Sequence, residues 1–291
     1  MNIVWKNPSP RAEGSTLMDF FQGFADGFGD DHAVHSRMMR TLFHALEEQP
    51  AATDLWAYTQ LSHVWLYLAE RRDTDVRVQV IAGAYELKSD WPEAYHPPWP
   101  EASLIARTTK PTQALRWILT ALHGRLELPK RYRRSQPVPR DRTLPQDSGD
   151  PTPNGPFGWT TPLRRVSAQQ PERLQDYFTH LRHEPGILYD QRAQAMLRLI
   201  QHLEASNIGA DQWAYTSAIK LFLTNTDRME NGIKIDTAPS CYLISYPLTL
   251  PKTICDQVWA YGETEHVVTA AEMIRTAIQL TFTANDRDNS D

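Results

Sequence analysis

Two cysteines in 291 residues, Cys241 and Cys255, stand outside any CxxC pair, so neither a disulfide framework nor a cysteine-built metal site is expected. Glycine is also scarce, at 13 residues, and none of it forms a phosphate-cradling loop. GxSxG and HExxH are missing as well, so a nucleotide-dependent enzyme is not expected, nor is any cofactor. No apolar run approaches the roughly 20 residues that cross a bilayer. The start, "MNIVWKNPSP", lacks the basic, apolar, small-residue order of a secretory leader. The expectation is a cytoplasmic protein with no membrane partner. Acidic residues outnumber basic ones, 35 to 30, which argues against wholesale nucleic-acid binding while leaving room for a local basic patch.

The chain does hold ample apolar material, 41% hydrophobic and 10% aromatic with 22% charged, and its length suits two ordinary domains. It also holds a sequence written twice. "DLWAYT" (54–59) returns as "DQWAYT" (211–216), and the same offset of 157 residues aligns the chain with itself without a gap from Leu17 to about Leu87. "LMDFFQGF" (17–24) falls on "LQDYFTHL" (174–181), and "MRTLFHALE" (39–47) on "MLRLIQHLE" (196–204). In the latter pair Met39, Leu42, Phe43 and Leu46 recur as Met196, Leu199, Ile200 and Leu203, the i, i+3, i+4, i+7 stripe of an amphipathic helix. "VRVQ" (76–79) falls on "IKID" (233–236), an alternation that suits a short half-buried strand. One residue is then dropped, and "ILTALHGRL" (118–126) lies on "IRTAIQLTF" (274–282). A constant offset joined to matching periods reads as an internal duplication.

The expected architecture is mainly α, with one short strand or hairpin per unit. It is a tandem duplication of a helical unit of about 110 residues, the copies related by pseudo-twofold symmetry. The expected boundaries are a tail over 1–16, units over 17–128 and 174–284, a Pro/Arg-rich linker over 129–173 and a polar tail over 285–291. Helices are expected over 16–28, 31–49, 54–72 and 111–126, then over 171–183, 188–206, 211–226, 252–261 and 265–283, with strands over 76–87 and 233–246. On this reading Asp54 and Asp211 are N-caps. Trp56 and Trp213 plug the core behind them, and Tyr58 and Tyr215 start a flanking row. A third echo, "DQVWAYG" (256–262), carries an extra residue and is set aside.

The linker opens with "KRYRRSQPVPRDR", which gathers Lys130, Arg131, Arg133, Arg134, Arg140 and Arg142 around Tyr132. Such a segment can contact phosphates without sequence preference, and an aromatic among arginines can stack on a base. Asp31 with His35, and Glu263 with His266, have helical spacing for a metal, but neither set has a counterpart elsewhere in the chain. "RWILTALH" (116–123) and "RMMRTLFH" (37–44) place Arg before His at a spacing that resembles the helical RNases of the HEPN class, which would give Arg116 and His123 a catalytic role. The second copy lacks the histidine. Between the copies the retained residues are mostly apolar, which suits a scaffold better than a pair of active sites. The expected function is therefore a non-enzymatic adaptor or structural subunit, binding other protein subunits in a complex that handles nucleic acid. The alternatives are tandem winged-helix units, whose recognition helices would begin at Asp54 and Asp211, and the HEPN-like RNase.

Overall fold

The computed structural model of the chain describes residues 4–5, 16–27, 30–50, 55–60, 63–68, 71–92, 99, 102–128, 163–166, 168, 174–183, 187–229, 232–238, 240–248, 250 and 254–282. Strand and helix share these residues, at 34% and 41%, so the chain is not mainly α. The first half runs β1 (Val4–Trp5), α1 (Leu17–Gly27), α2 (Asp30–Glu47), β2 (Leu55–Gln60), β3 (His63–Leu68), β4 (Arg71–Ile81), β5 (Ala84–Asp90), β6 (Ser103–Thr108) and α3 (Pro111–Leu122). The second runs β7 (Arg164–Arg165), α4 (Leu174–Leu181), α5 (Ile187–Ala205), β8 (Trp213–Ser217), β9 (Lys220–Thr224), β10 (Ile233–Thr237), β11 (Tyr242–Leu248), β12 (Gln257–Thr264) and α6 (Val267–Thr281). The order β-α-α-β-β-β-β-β-α is thus traversed twice. In each half the strands neighbour one another in chain order, and β2 to β6 pair antiparallel in succession, as do β8 to β11. The two-residue strands β1 and β7 instead add in parallel, Val4 opposite Trp56 and Arg164 opposite Trp213.

The helices expected over 54–72 and 211–226 are hairpins, β2 with β3 and β8 with β9. The hexapeptide therefore opens a strand. Leu55, Ala57 and Thr59 are buried while Trp56 and Tyr58 between them are only half-buried, and Val64 and Leu66 alternate in the same way with His63, Trp65 and Tyr67. This is a period of two, carried by aromatic, Thr and Val residues that pack well on a pleated surface. The short helix expected over 252–261 is likewise strand, β12.

The helices over the doubled apolar stripes are present. At the start of α1 the Thr16 hydroxyl accepts from Asp19 N at 3.1 Å, and the Asp19 carboxylate accepts from Thr16 N at 2.8 Å, a reciprocal cap whose hydrogen bonds hold Asp19 below the usual carboxylate range. Met39, Leu42, Phe43 and Leu46 of α2 are fully buried, as are Met196, Leu199, Ile200 and Leu203 of α5. The same offset governs individual hydrogen bonds. Tyr85 in β5 donates to Met38 O at 2.9 Å, and Tyr242 in β11 donates to Ala195 O at 3.3 Å. Burial pushes the Tyr85 hydroxyl up to about 12. His35 reaches Val80 O, and in the second half Arg192 reaches Thr237 O and also pairs with Asp236 at 2.7 Å.

By its contacts the chain forms two compact units, one of Met1–Pro97, Ser103–Arg134 and Leu248–Trp259, the other of Pro98–Ala102, Ser135–Pro247 and Ala260–Asp291. Each unit borrows a short piece from the opposite half. Within the second unit the borrowed Trp99 donates Nε1 to Tyr261 O at 3.3 Å and meets the Tyr246 ring edge-on at 5.6 Å. Trp99 lies directly over Gly262, where an added Cβ would fall 1.8 Å from Trp99 Nε1. Gly262→Ala is therefore expected to lower unfolding stability by about 1–3 kcal/mol. Chemical denaturation in the Trp99→Ala background should show most of that cost gone, and an equal cost in both backgrounds would refute the close approach.

Candidate functional site

The hairpins built from the doubled hexapeptide carry their aromatic residues on the face opposite the buried one. In the first half Trp56 stands opposite Tyr67 with ring centroids 6.0 Å apart, and Tyr58 opposite Trp65 at 5.7 Å, with His63 5.9 Å from Trp65. Directly opposite pairs on one face of an antiparallel sheet are close enough to support each other, so the four rings form a ladder two rungs long. The rungs extend into charge. Trp65 faces Arg77 and Arg77 faces Lys88, while Tyr67 faces Asp75. Desolvation raises the Asp75 carboxyl above its ordinary pKa, opposed by the positive charges of Lys88 and Arg77.

The second half repeats this surface in part. Tyr215 and Phe222 are opposite and stacked, 4.7 Å apart with planes 2° from parallel, and Phe222 faces Lys234. Trp213 faces Thr224 instead of a second ring, and the Arg164 guanidinium lies 6.0 Å above its ring centre. Aromatic faces flanked by cations can take up apolar and aromatic groups and orient them by charge.

Asp54 lies outside the described residues, as do Lys130, Arg131, Tyr132, Arg133, Arg134, Arg140 and Arg142. Asp211 is exposed in the turn before β8, 3.9 Å from Arg164, and caps no helix. The recognition helices that the winged-helix reading places at Asp54 and Asp211 are not formed, because 55–60 and 213–217 are strands. Arg116 on α3 and His123 at its C-cap do line one depression together. That helix packs against α2 and also against β4, β5 and β6, whereas the HEPN resemblance implies helical surroundings alone. On α2, His44 lies 3.8 Å from Glu48. His35 is buried against Val80 O, Glu263 accepts from the Tyr261 hydroxyl at 3.1 Å, and His266 is the N-cap of α6. Among the described residues no three His, Cys, Asp or Glu side chains cluster as metal ligands would. Both thiols have raised pKa values, chiefly through burial, which makes them poor nucleophiles at neutral pH.

One polar cluster had no local signal in the sequence. Asp256, just before β12, accepts from Lys110 Nζ at 3.0 Å and from the Thr108 hydroxyl at 2.9 Å. Lys110 is the N-cap of α3 and its side chain does not cap, so Asp256 brings negative charge to that helix start from 146 positions away. The Lys110 and Thr108 hydrogen bonds hold the Asp256 carboxyl below its ordinary pKa.

A depressed folded-state pKa contributes stability above the unfolded value, about 3.9 for Asp, and that contribution is lost as pH falls through the folded value. Thermal melts should thus place Asp256→Asn below the parent chain at pH 7, with the two converging in acid. A gap independent of pH would refute the assignment. No helix among the described residues is long and apolar enough to cross a membrane. No protein-family model matches the chain, and no curated protein or solved structure matches it.

Proposed function

We propose that this chain is a non-enzymatic adaptor or structural subunit of a larger cytoplasmic complex that handles nucleic acid. Its protein-docking surface is the aromatic ladder Trp56, Tyr58, Trp65 and Tyr67. That ladder is the observation that carries the reading. Tyr, Trp and Arg are the side chains on which protein interfaces concentrate their energy, and the rings of Tyr and Trp present a large rigid area at small entropic cost. Here four such rings share one sheet face with Arg77 beside them. Trp65 faces Arg77 and Tyr67 faces Asp75, so the partner that complements this face presents an apolar group to the rings. The basic residues Lys130, Arg131, Arg133, Arg134, Arg140 and Arg142, with Tyr132, would supply the contact to phosphates and bases. The free thiols Cys241 and Cys255 agree with a reducing compartment.

Size-exclusion of native extract tests the docking surface. The parent chain should elute well above its own 33.4 kDa, and a Tyr58→Ser/Trp65→Ser variant with an unchanged circular dichroism spectrum should shift toward monomer. Identical elution of the two would overturn the assignment. The nucleic-acid arm is read separately, by fluorescence anisotropy of single- and double-stranded oligonucleotides across a salt series. Changing the six basic residues of 130–142 to Ser should abolish salt-sensitive binding, and binding that survives the change would remove that segment from the interface.

A further inference from the structure

The outward sheet face of the second half differs in charge from that of the first. On β4 and β5 the outward positions mix Asp75 and Glu86 with Arg77 and Lys88. On β7 to β10 the charged outward positions are Arg164, Lys220, Lys234 and Asp236. Asp236 is already engaged from the helix side, since Arg192 of α5 donates to it at 2.7 Å, while Lys220 stays 4.0 Å away. Asp211, in the turn before β8, is 93% exposed and 3.9 Å from Arg164, where water screens such a pair to little strength. Lys234 and Tyr215 hold further contacts within the chain. Arg164 and Lys220 remain 55% and 40% exposed, so this face offers positive charge in a chain whose formal charge is -5.

The rings on this face are also arranged differently. Tyr215 and Phe222 stack with their planes 2° apart, whereas the first-half pairs are tilted by 48° and 56°. A parallel pair is a stack already begun, which a third flat ring continues. Trp213 stands two positions before Tyr215 on β8, about 7 Å along the strand. It faces Thr224, and the Arg164 guanidinium lies 6.0 Å above its ring centre. The interval between the two ring sites is about twice the 3.4 Å rise per base of a stacked strand. Bases that reach both sites therefore belong to an extended, unpaired strand.

We infer that the outward face of β8 and β9 binds single-stranded nucleic acid. Bases stack on Trp213 and on the Tyr215–Phe222 pair, and phosphates lie against Arg164 and Lys220. The site deepens the nucleic-acid part of the proposed function and rests on it, while the first-half ladder keeps its protein partner.

Anisotropy of labelled oligo(dT), oligo(U) and the oligo(dT)–oligo(dA) duplex, at low salt, compares the parent chain with Trp213→Thr/Phe222→Thr, in which Thr keeps the preference for strand. At least one single strand should bind the parent chain and weaken about tenfold or more in that variant, with duplex binding changed much less. Tyr58→Ser/Trp65→Ser should leave the strand affinity as it was. The strand that binds tells DNA from RNA. Unchanged strand affinity in the second-half variant would overturn the inference and leave that face to a protein. Equal weakening of the duplex, or of the strand in Tyr58→Ser/Trp65→Ser, would also overturn it.

The Ser replacement of the six basic residues of 130–142 separates the two possible failures. Binding lost there and kept in Trp213→Thr/Phe222→Thr sinks this site alone, whereas no binding by the parent chain sinks the nucleic-acid reading with it. If the ring variant melts, Arg164→Gln/Lys220→Gln carries the comparison, because Asp236 keeps its bond to Arg192. Its logarithmic salt slope for the single strand should be shallower by about 1.4, for two lost phosphate contacts, and an unchanged slope would overturn the inference.

Discussion

A buried tyrosine hydroxyl that donates to the backbone of the long helix above it fixes how each half is assembled. Tyr85 and Tyr242 stand at the start of β5 and β11, on the face the helices cover, and each bonds to a carbonyl in the middle of α2 or α5. That bond sets the height of the helix along the strands, and the apolar stripe Met39, Leu42, Phe43, Leu46 then has one way to meet the sheet. Once α2 is placed, α1 packs on it through Phe21 against Phe43, with ring centroids 5.7 Å apart. The first residue of the following hairpin begins on a defined edge, and its alternation puts Leu55 and Ala57 inward and the aromatic ladder outward. The face proposed to dock a partner is thus a by-product of where the inner face is anchored.

The two copies show what this anchoring demands and what it leaves free. Core positions persist while the polar contacts around them have been exchanged. His35 reaching Val80 O becomes Arg192 reaching Thr237 O, and the Gln79–Glu86 hydrogen bond across β4 and β5 gives way to Asp236 held by Arg192. The carbonyl accepts in both halves, so the geometry survives although the donor has changed from imidazole to guanidinium. Divergence went further where the fold makes no demand, on the exposed sides of α3 and α6 and on the outward faces of the hairpins.

How legible all this was in the sequence depended on the reach of each interaction. The helices were readable because Met39, Leu42, Phe43 and Leu46 repeat every turn, and the alternation Val76, Val78 marked a strand. The hexapeptide misled because Trp56 and Val64 are eight positions apart, a distance that fits two helical turns and also places both residues in adjacent strands of a hairpin. Residue type was the better guide, since "LWAYTQ" and "HVWLYL" are rich in residues that favour strands. "DQVWAYG", set aside for its extra residue, is the same preference expressed a third time, in β12. Of the candidate residues, Trp56, Tyr58, Trp213 and Tyr215 lie in strands where helices are expected, and they are half-buried where core plugs are expected. Arg116 and His123 do share a surface. Asp256 could not have been connected to Lys110 by any local pattern.

The borrowed segments bear on how the chain comes to be folded as it leaves the ribosome. Leu248–Trp259 belongs to the first unit, and Asp256 within it holds the start of α3 through Lys110 and Thr108. The N-terminal unit consequently lacks part of its own structure until nearly nine-tenths of the polypeptide has been synthesised, so it cannot finish folding before its sister is made. Synthesis delivers the units in order, yet they are completed together. A gene duplication that at first gave two self-sufficient copies would, after this exchange, no longer be divisible into them.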